Sequence, residues 1–358
     1  MAKSMLIWWM MNSLILQVAE GGRSAHVPAM FVFGDSLADA GTNNFLPNCT
    51  TRADFSPYGV SFFPNPTGRF TNGLTVFDFI ATHLELPFVP PYRELPSYYQ
   101  QAIFSHGANF ASAGSGLLDS TGSEKKIVNF SDQISKFEEF SRRVRKKSHL
   151  RNSLYCISIG GNDIHAHYNG PSLNLSDAQF VTLLVGTHGQ YIQRLYRAGA
   201  RKFLILDISA LGCTPIARFT YNFQYQGKCA EPGNILAQKY NVALKNLVDH
   251  LNGKLHEVNI MLFNSYDYLT NMIRNGKAFG FSETKSACCG SGLFRANVSY
   301  GQTSPPDLYC NDPDAYLFWD AVHPTQRAYS IFSKEIWGGN SSVMHPINLF
   351  TLVLGRNA

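Results

Sequence analysis

The chain has 358 residues, enough for two small domains or for one large α/β domain with a sizeable core. Hydrophobic residues make up 45% of the sequence and charged residues only 15%, a composition that excludes a disordered chain. The formal net charge of +5 is too small and too little concentrated to indicate binding to nucleic acid.

The N-terminal segment has the pattern of an export signal. Lys3 precedes a short apolar run at residues 5–18, and small residues follow at 19–25. A helix needs about 20 apolar residues to span a bilayer, so this run is too short to do so. We therefore expect residues 1–25 to be a secretory signal peptide, with an N-terminal anchor or a buried helix as the alternative. No later stretch is long enough to span a membrane.

Strands and helices are predicted to alternate along the rest of the chain. The predicted strands are residues 29–33, 154–159, 203–208 and 260–263, and the predicted helices are 130–144, 177–198, 235–255 and 325–337. Short buried strands that alternate with helices are typical of a parallel sheet covered on both faces. We expect residues 26–358 to form one three-layer α/β/α domain with a mainly parallel central sheet.

In such folds the ligand site lies beyond the carboxyl ends of the strands. The loops 42–71 and 221–233 are long, polar and aromatic, and we expect them to build the substrate cleft. Several polar clusters also follow the predicted strands, and each of them is a candidate for part of the site.

The first cluster, residues 33–41, places Ser36 shortly after the first predicted strand. A serine in that position can present its hydroxyl to a cleft, and it becomes a nucleophile when a base lies beside it. An ordinary strand-to-helix turn, in which Gly, Asp and Ser are common, explains the same residues equally well. The Gly-x-Ser-x-Gly elbow of α/β-hydrolases is absent from the sequence.

Two clusters of small residues come next. In residues 109–116, which include Gly114, backbone N–H groups can approach a ligand closely, although a tight turn is the alternative. Asn162 follows an apolar strand and can point its amide donor at a developing oxyanion, or it can serve only as a turn former. His165 and His167 form a His-x-His pair, but nothing supplies the further ligands that a metal needs, so no metal site is expected.

The last cluster pairs Asp320 with His323, just before Pro324. In a turn that enters a helix, a spacing of three residues lets a carboxylate bond the imidazole. Such a bond selects the tautomer of the histidine and stabilises the imidazolium during catalysis.

Sequons and cysteines agree with export. Asn-X-Ser/Thr sequons, which can carry glycans, occur at Asn48, Asn129, Asn174, Asn297 and Asn340. The seven cysteines leave at least one unpaired within the chain. Five are disulfide candidates: Cys213, Cys229, Cys288, Cys289 and Cys310.

The loop between Cys213 and Cys229 contains Pro215 and Gly227, which makes that pair a plausible disulfide. Cys310 can pair with either of the adjacent cysteines at 288 and 289. Cys156 lies in an apolar run and is expected to be a buried free thiol. A zinc site is the alternative, but the sequence lacks a Cys-x-x-Cys knuckle and an exported protein meets an oxidising compartment.

Taken together, the motifs resemble the plant branch of the GDSL esterase/lipase family, which belongs to the SGNH hydrolase superfamily. The resemblance depends on Gly-Asp-Ser-Leu at 34–37, Gly114, Gly-Gly-Asn-Asp at 160–163 and Asp-Ala-Val-His-Pro at 320–324, with further similar motifs at 54–59, 66–73, 211–215, 288–290 and 316–319. It spans about residues 30–350.

The resemblance implies a role for each motif residue. Ser36 would be the nucleophile, His323 the general base and then acid, and Asp320 the residue that orients His323. The oxyanion hole would combine the backbone N–H groups of Ser36 and Gly114 with the side chain of Asn162. The implied fold is the SGNH, flavodoxin-like hydrolase fold, and no cofactor is implied.

The predicted function is that of a secreted, extracellular or wall-located serine hydrolase that cleaves lipid or other acyl esters through an acyl-enzyme. One alternative is an acyltransferase that passes the same acyl group to an alcohol. A more distant alternative is a non-catalytic protein that binds wall glycans or lipids. The expected partner is a small-molecule or lipid ester, with no nucleic acid and no stable membrane span. The sequence indicates neither the particular ester nor the oligomeric state.

Overall fold

The structure is a computed structural model that describes residues 27–93, 105–170, 173–297 and 309–354. The predicted signal peptide, residues 1–25, lies outside the described residues. Within them, no helix is both long enough and apolar enough to cross a membrane.

A six-stranded sheet forms the centre of the domain, and a two-stranded sheet lies apart from it. The strands are β1 (Met30–Gly34), β2 (Gly107–Asn109), β3 (Leu154–Ser158), β4 (Lys202–Leu206), β5 (Asn259–Phe263), β6 (Glu283–Ala287), β7 (Tyr316–Phe318) and β8 (Met344–His345). The large sheet has the order β2-β1-β3-β4-β5-β8, and only β8 runs antiparallel to its neighbour. The predicted fold class, α/β with a mainly parallel central sheet, is confirmed.

Helices connect the strands. They are α1 (Val76–His83), α2 (Phe130–Arg143), α3 (Lys147–Asn152), α4 (Gly161–Asn169), α5 (Asp177–Arg197), α6 (Pro215–Thr220), α7 (Asn222–Tyr225), α8 (Glu231–Lys254), α9 (Ser265–Arg274), α10 (Gln326–Gly338) and α11 (Leu349–Leu354). The predicted strands and long helices are present, with ends shifted by a few residues.

The core forms because the central strands are apolar on both faces. All five residues of β1 and of β3 are buried, as parallel strands covered by helices require. Helix α2 packs its predicted apolar face on this sheet, and the Phe137 ring lies 5.1 Å from the Phe31 ring. Helix α5 begins where predicted, because Ser176 and Gln179 form a reciprocal capping box.

Three local features differ from the sequence expectations. Strands β2, β7 and β8 were not predicted, because two or three residues are too few to show a pattern, and β6 was not predicted because its five residues are mostly polar. Helix α8 begins at Glu231 rather than near 235, since Pro232 suits the first turn of a helix. The loop expected at 221–233 instead holds α7 and the start of α8.

Two disulfides are present, Cys213–Cys229 and Cys288–Cys310. The structure thus selects Cys288 rather than its neighbour as the partner of Cys310. The remaining cysteines, Cys49, Cys156 and Cys289, are free and buried.

Candidate active site

Ser36 leaves the carboxyl end of β1 through a turn that requires glycine. Gly34 has a φ of +145°, and a Cβ there would lie 2.1 Å from the carbonyl oxygen of Ser158. The Gln133 side chain on α2 accepts a hydrogen bond from the Gly34 N–H and donates one to the Gly34 carbonyl, both at 2.9 Å. This clamp fixes the turn that places Ser36 at the wall of a cavity.

Asp320 and His323 lie in the turn between β7 and α10. One oxygen of Asp320 accepts the backbone N–H groups of Val322 and His323 at 2.9 and 2.8 Å, so the carboxylate shapes its own turn. Both carboxylate oxygens lie 2.8 Å from Nδ1 of His323. On the other side of the ring, Nε2 lies 2.8 Å from the hydroxyl oxygen of Ser36. Ser36, which is far from the other two residues in the sequence, therefore forms one hydrogen-bonded chain with His323 and Asp320.

The charge of Asp320 determines the tautomer of His323. Burial raises the pKa of this fully buried carboxyl, but the charge of His323 and the hydrogen bonds outweigh burial and hold the pKa below its ordinary value. An ionised carboxylate only accepts hydrogen bonds, so the proton of the neutral imidazole is on Nδ1. Nε2 is then an acceptor for the Ser36 hydroxyl, as general-base catalysis requires.

Tyr58 is a site residue that the sequence analysis did not single out. Its hydroxyl donates a hydrogen bond of 2.7 Å to Oδ2 of Asp320, and its ring is buried beside Phe70 and Trp319. Phe70 also packs against the His323 ring, with centroids 5.1 Å apart. The motif at 54–59 contributed to the family resemblance, but nothing in the sequence indicated that its tyrosine contacts Asp320.

Gly114 and Asn162 line the same cavity as Ser36 and His323. Asn162 donates one amide hydrogen to the Ser115 carbonyl at 2.8 Å, and its second amide hydrogen has no acceptor among the described residues. Within that same part of the chain, the backbone N–H groups of Ser36 and Gly114 donate to no protein group. Three hydrogen-bond donors therefore border the cavity without a protein acceptor.

Two buried aspartates hold the loop that contains Gly114. Asp39 accepts the backbone N–H of Ala113 at 2.9 Å, and Asp163 accepts those of Leu117 and Leu118 at 2.7 and 3.0 Å. Burial raises the pKa of both carboxyls to about 6, although these hydrogen bonds act in the opposite direction. Neither aspartate was predicted to support the site, because a sequence does not show which backbone a buried carboxyl bonds.

The two histidines of the His-x-His pair diverge. His165 lines the cavity, whereas the His167 ring stacks on Phe180 at 3.9 Å. Residues two apart on a helix point in different directions. Among the described residues, no three His, Cys, Asp or Glu side chains converge in a way that would hold a metal ion.

The cavity has a volume of about 500 Å³ and a mainly apolar wall. Apolar side chains from several elements contribute to it: Leu206, Leu269, Phe318 and Phe332. The loop 42–71 contributes Thr50, Thr51 and Phe70, as expected. The other loop that was expected to build the cleft, 221–233, does not line the cavity, and parts of it form α7 and the start of α8.

The sequons differ in exposure. Asn48, Asn174, Asn297 and Asn340 are exposed, whereas Asn129 is partly buried at the start of α2.

Comparison with known proteins shows the family of the chain. The family model described as GDSL-like Lipase/Acylhydrolase matches residues 30–336. GDSL esterase/lipase 6 of Arabidopsis thaliana is 36% identical over 350 residues, which cover 96% of this chain and 95% of the relative. A GDSL lipase of Tanacetum cinerariifolium is 33% identical over 340 residues, which cover 93% of this chain and 90% of the relative.

Two solved structures are also similar. An alpha/beta hydrolase enzyme from the metagenome of Lake Arreo is 10% identical, with a TM-score of 0.40, over 86% of this chain and 93% of that one. A catalytic mutant of an acetylxylan esterase from Geobacillus stearothermophilus is 14% identical, with a TM-score of 0.39, over 87% of this chain and 92% of that one.

Proposed function

The chain belongs to the GDSL-like lipase/acylhydrolase family of carboxylic ester hydrolases, and from its site we propose that it cleaves esters through an acyl-enzyme on Ser36. The observation that carries this proposal is the 2.8 Å contact between the Ser36 hydroxyl and Nε2 of His323, whose other nitrogen contacts Asp320. A nucleophile, a base and a residue that orients the base are the minimum for acyl transfer to serine.

In the first half of the reaction, Nε2 of His323 takes the proton of the Ser36 hydroxyl as the serine oxygen attacks the ester carbonyl. Asp320 stabilises the imidazolium that forms, because its carboxylate accepts the Nδ1–H. The N–H groups of Ser36 and Gly114 and the amide of Asn162 donate to the oxyanion. The imidazolium then protonates the alkoxide of the leaving alcohol, and the acyl group remains on Ser36.

In the second half, His323 removes a proton from a water molecule, which attacks the acyl carbonyl. The tetrahedral intermediate again places its oxyanion against the same donors. It collapses to release the carboxylic acid, and the Ser36 oxygen recovers its proton from His323.

A serine substitution tests the proposal. Ser36→Ala should lower kcat on an activated acyl ester by at least about a thousandfold. The reason is that removing the nucleophile of a triad costs about as much activity as removing the whole triad. Ser209 also lines the cavity but belongs to no part of the proposed machinery, so Ser209→Ala is the matched control and should stay within a few-fold of wild type. Undiminished turnover by Ser36→Ala would refute the acyl-enzyme.

We also propose that the protein is exported. The proposal rests on the composition of residues 1–25, on the exposed sequons and on a pair of disulfides, which persist in oxidising compartments. Expression in a eukaryotic secretory host should release a protein whose N-terminus lies near residue 26 and whose mass falls on treatment with a glycosidase. Retention in the cells with Met1 intact and no glycan would contradict it.

A further inference from the structure

The cavity that contains Ser36 has a basic side that ester cleavage does not use. Lys125 and His165 both line it, together with Gly114 and Asn162. We infer that Lys125 and His165 form a subsite for an anionic group, a carboxylate or a phosphate, on the ester substrate. This inference rests on the proposed function, because the subsite would act on the ester that Ser36 attacks.

Lys125 is held close to the proposed oxyanion hole. It ends the 3₁₀ turn Ser123–Lys125, where its backbone N–H donates to the Gly122 carbonyl at 2.9 Å. A Cβ added to Gly114 would lie 3.4 Å from Cδ of Lys125, so the lysine stem runs alongside Gly114. The side chain thus reaches the cavity next to the backbone N–H that is proposed to bind the oxyanion.

The Lys125 ammonium has no anionic partner in the part of the chain that the structure describes. No carboxylate of residues 27–93, 105–170, 173–297 or 309–354 lies within ion-pair distance of it. Its acidic sequence neighbour, Glu124, is exposed and makes no such pair. A half-buried lysine without a counter-ion among the described residues, at the wall of an apolar cavity, favours binding of an anion.

His165 lies on the same side of the cavity. It follows Asn162 by three residues on α4, which places the two side chains on one helix face. Both side chains line the one cavity, and burial together with the positive charge of Lys125 lowers the pKa of His165. An anion between them would accept a hydrogen bond from each and would favour protonation of the imidazole.

The acidic residues of the cavity do not neutralise this side. Asp35 and Asp207 are the carboxyls that line it, and burial raises the pKa of each to about 7. Each is also engaged elsewhere. Asp35 accepts the backbone N–H of Leu37 at 3.0 Å, and Asp207 accepts the Ser265 hydroxyl at 2.6 Å. A substrate anion would therefore be the counter-ion of Lys125.

The test compares charged and neutral esters of matched size. The carboxylate arm uses the mono-4-nitrophenyl ester of glutaric acid and its methyl-capped counterpart. The phosphate arm uses a monoacylglycerol phosphate and the matching monoacylglycerol. For each pair, kcat/KM is measured for wild type, Lys125→Gln, Lys125→Arg, His165→Gln and Lys126→Gln. Lys126 is the matched control, since it is exposed and does not line the cavity.

In at least one arm, wild type should prefer the anionic ester. Lys125→Gln should lower the ratio of anionic to neutral kcat/KM about tenfold or more, the usual effect of losing one charge-assisted hydrogen bond. Lys125→Arg should retain most of the preference, and His165→Gln should reduce it less than Lys125→Gln. The arm that responds identifies the anion. Raising the salt concentration should weaken the preference in wild type.

Two results would overturn the inference while leaving the proposed function intact. One is Ser36-dependent cleavage of the neutral esters with no preference for charge in either arm. The other is an equal fall of the ratio in Lys125→Gln and Lys126→Gln. If Ser36→Ala cleaved all four esters as fast as wild type, the proposed function would fail and the inference with it.

Discussion

Tyr58 donates a hydrogen bond of 2.7 Å to Oδ2 of Asp320, and this bond joins the loop before α1 to the turn that contains the catalytic histidine. The same carboxylate accepts the Nδ1–H of His323 and two backbone N–H groups. Each of these donors favours the ionised form of Asp320. Tyr58 is thus a positioning residue that acts on Ser36 through two intermediate side chains.

Tyr58→Phe should lower kcat/KM by about tenfold, because a hydrogen bond to a charged group is lost while the ring remains. Loss of a donor to the ionised form raises the pKa of Asp320, so the acidic limb of the pH–rate profile should move to higher pH. Tyr309 also packs against Trp319, so Tyr309→Phe is a control for loss of a hydroxyl in the same cluster. If the role of Tyr58 were purely structural, Tyr58→Phe would lower the free energy of unfolding and leave the acidic limb of the pH–rate profile unmoved.

Asn162→Ala should lower kcat on an activated ester by about 10²–10³, the usual effect of removing one oxyanion donor, with little change in KM. The amide also donates to the Ser115 carbonyl, so part of the effect would come through the loop. Urea unfolding of Asn162→Ala measures the second contribution separately, because only the bond to Ser115 exists in the free protein. An alanine variant with wild-type kcat would exclude Asn162 from the oxyanion hole.

Gln133→Leu should impair both stability and catalysis. The fully buried side chain is the acceptor for the Gly34 N–H, so leucine would leave this buried donor unpaired, whereas the Gly34 carbonyl would keep its bond from the Ser112 N–H at 3.0 Å. An unpaired buried group costs about 1–3 kcal/mol, so the free energy of unfolding should fall by about that amount. Urea unfolding measures this loss, and a folded variant should also have a lower kcat.

Lys136 lies on the exposed face of α2, the helix that also carries Gln133, so Lys136→Gln is the control. It should change the free energy of unfolding by less than about 0.5 kcal/mol. If Gln133→Leu unfolded at the same urea concentration as this control, the clamp on Gly34 would not contribute to stability.

The sequence predicted the parts of this site that depend on local pattern. The alternation of strands and helices predicts a parallel sheet, and a parallel sheet brings strand ends together. Asp320 and His323 were paired from their spacing alone. Four supporting residues were not predicted, because each one bonds to a backbone or side-chain group that is far away in the sequence. They are Tyr58, Asp39, Asp163 and Gln133. A buried polar residue in a sequence does not identify its partner, and only the fold brings the two together.

Tyr329→Phe should stabilise the protein. The hydroxyl of this buried residue has no hydrogen-bond partner among the described residues, and an unpaired buried hydroxyl costs about 1–3 kcal/mol. Tyr155 is equally buried but donates to the Leu150 carbonyl at 3.0 Å. Tyr155→Phe should therefore lower the free energy of unfolding by about 1 kcal/mol, while Tyr329→Phe raises it. If both variants lost the same free energy of unfolding, the Tyr329 hydroxyl would have to have a hydrogen-bond partner.

Asp207→Asn should flatten the dependence of stability on pH. Burial raises the pKa of this carboxyl to about 7, although the Ser265 hydroxyl and the Tyr266 N–H donate to it. The unfolded chain releases that proton near pH 4, whereas the folded chain keeps it up to about pH 7. The contribution of Asp207 to stability is therefore complete below about pH 4 and is lost as the pH rises through about 7.

In the Asp207→Asn variant, the asparagine side chain keeps an oxygen that can accept the Ser265 hydroxyl, and it has no proton to release in this pH range. Calorimetry between about pH 5 and pH 8 should show the wild-type Tm falling more steeply with pH than the variant Tm. The difference between the two curves should change between about pH 5 and pH 7 and stay constant above about pH 7, with the variant the more stable at the alkaline end, because the wild-type carboxylate becomes charged in an apolar wall. Parallel curves would mean that Asp207 releases its proton at the same pH in the folded and the unfolded chain.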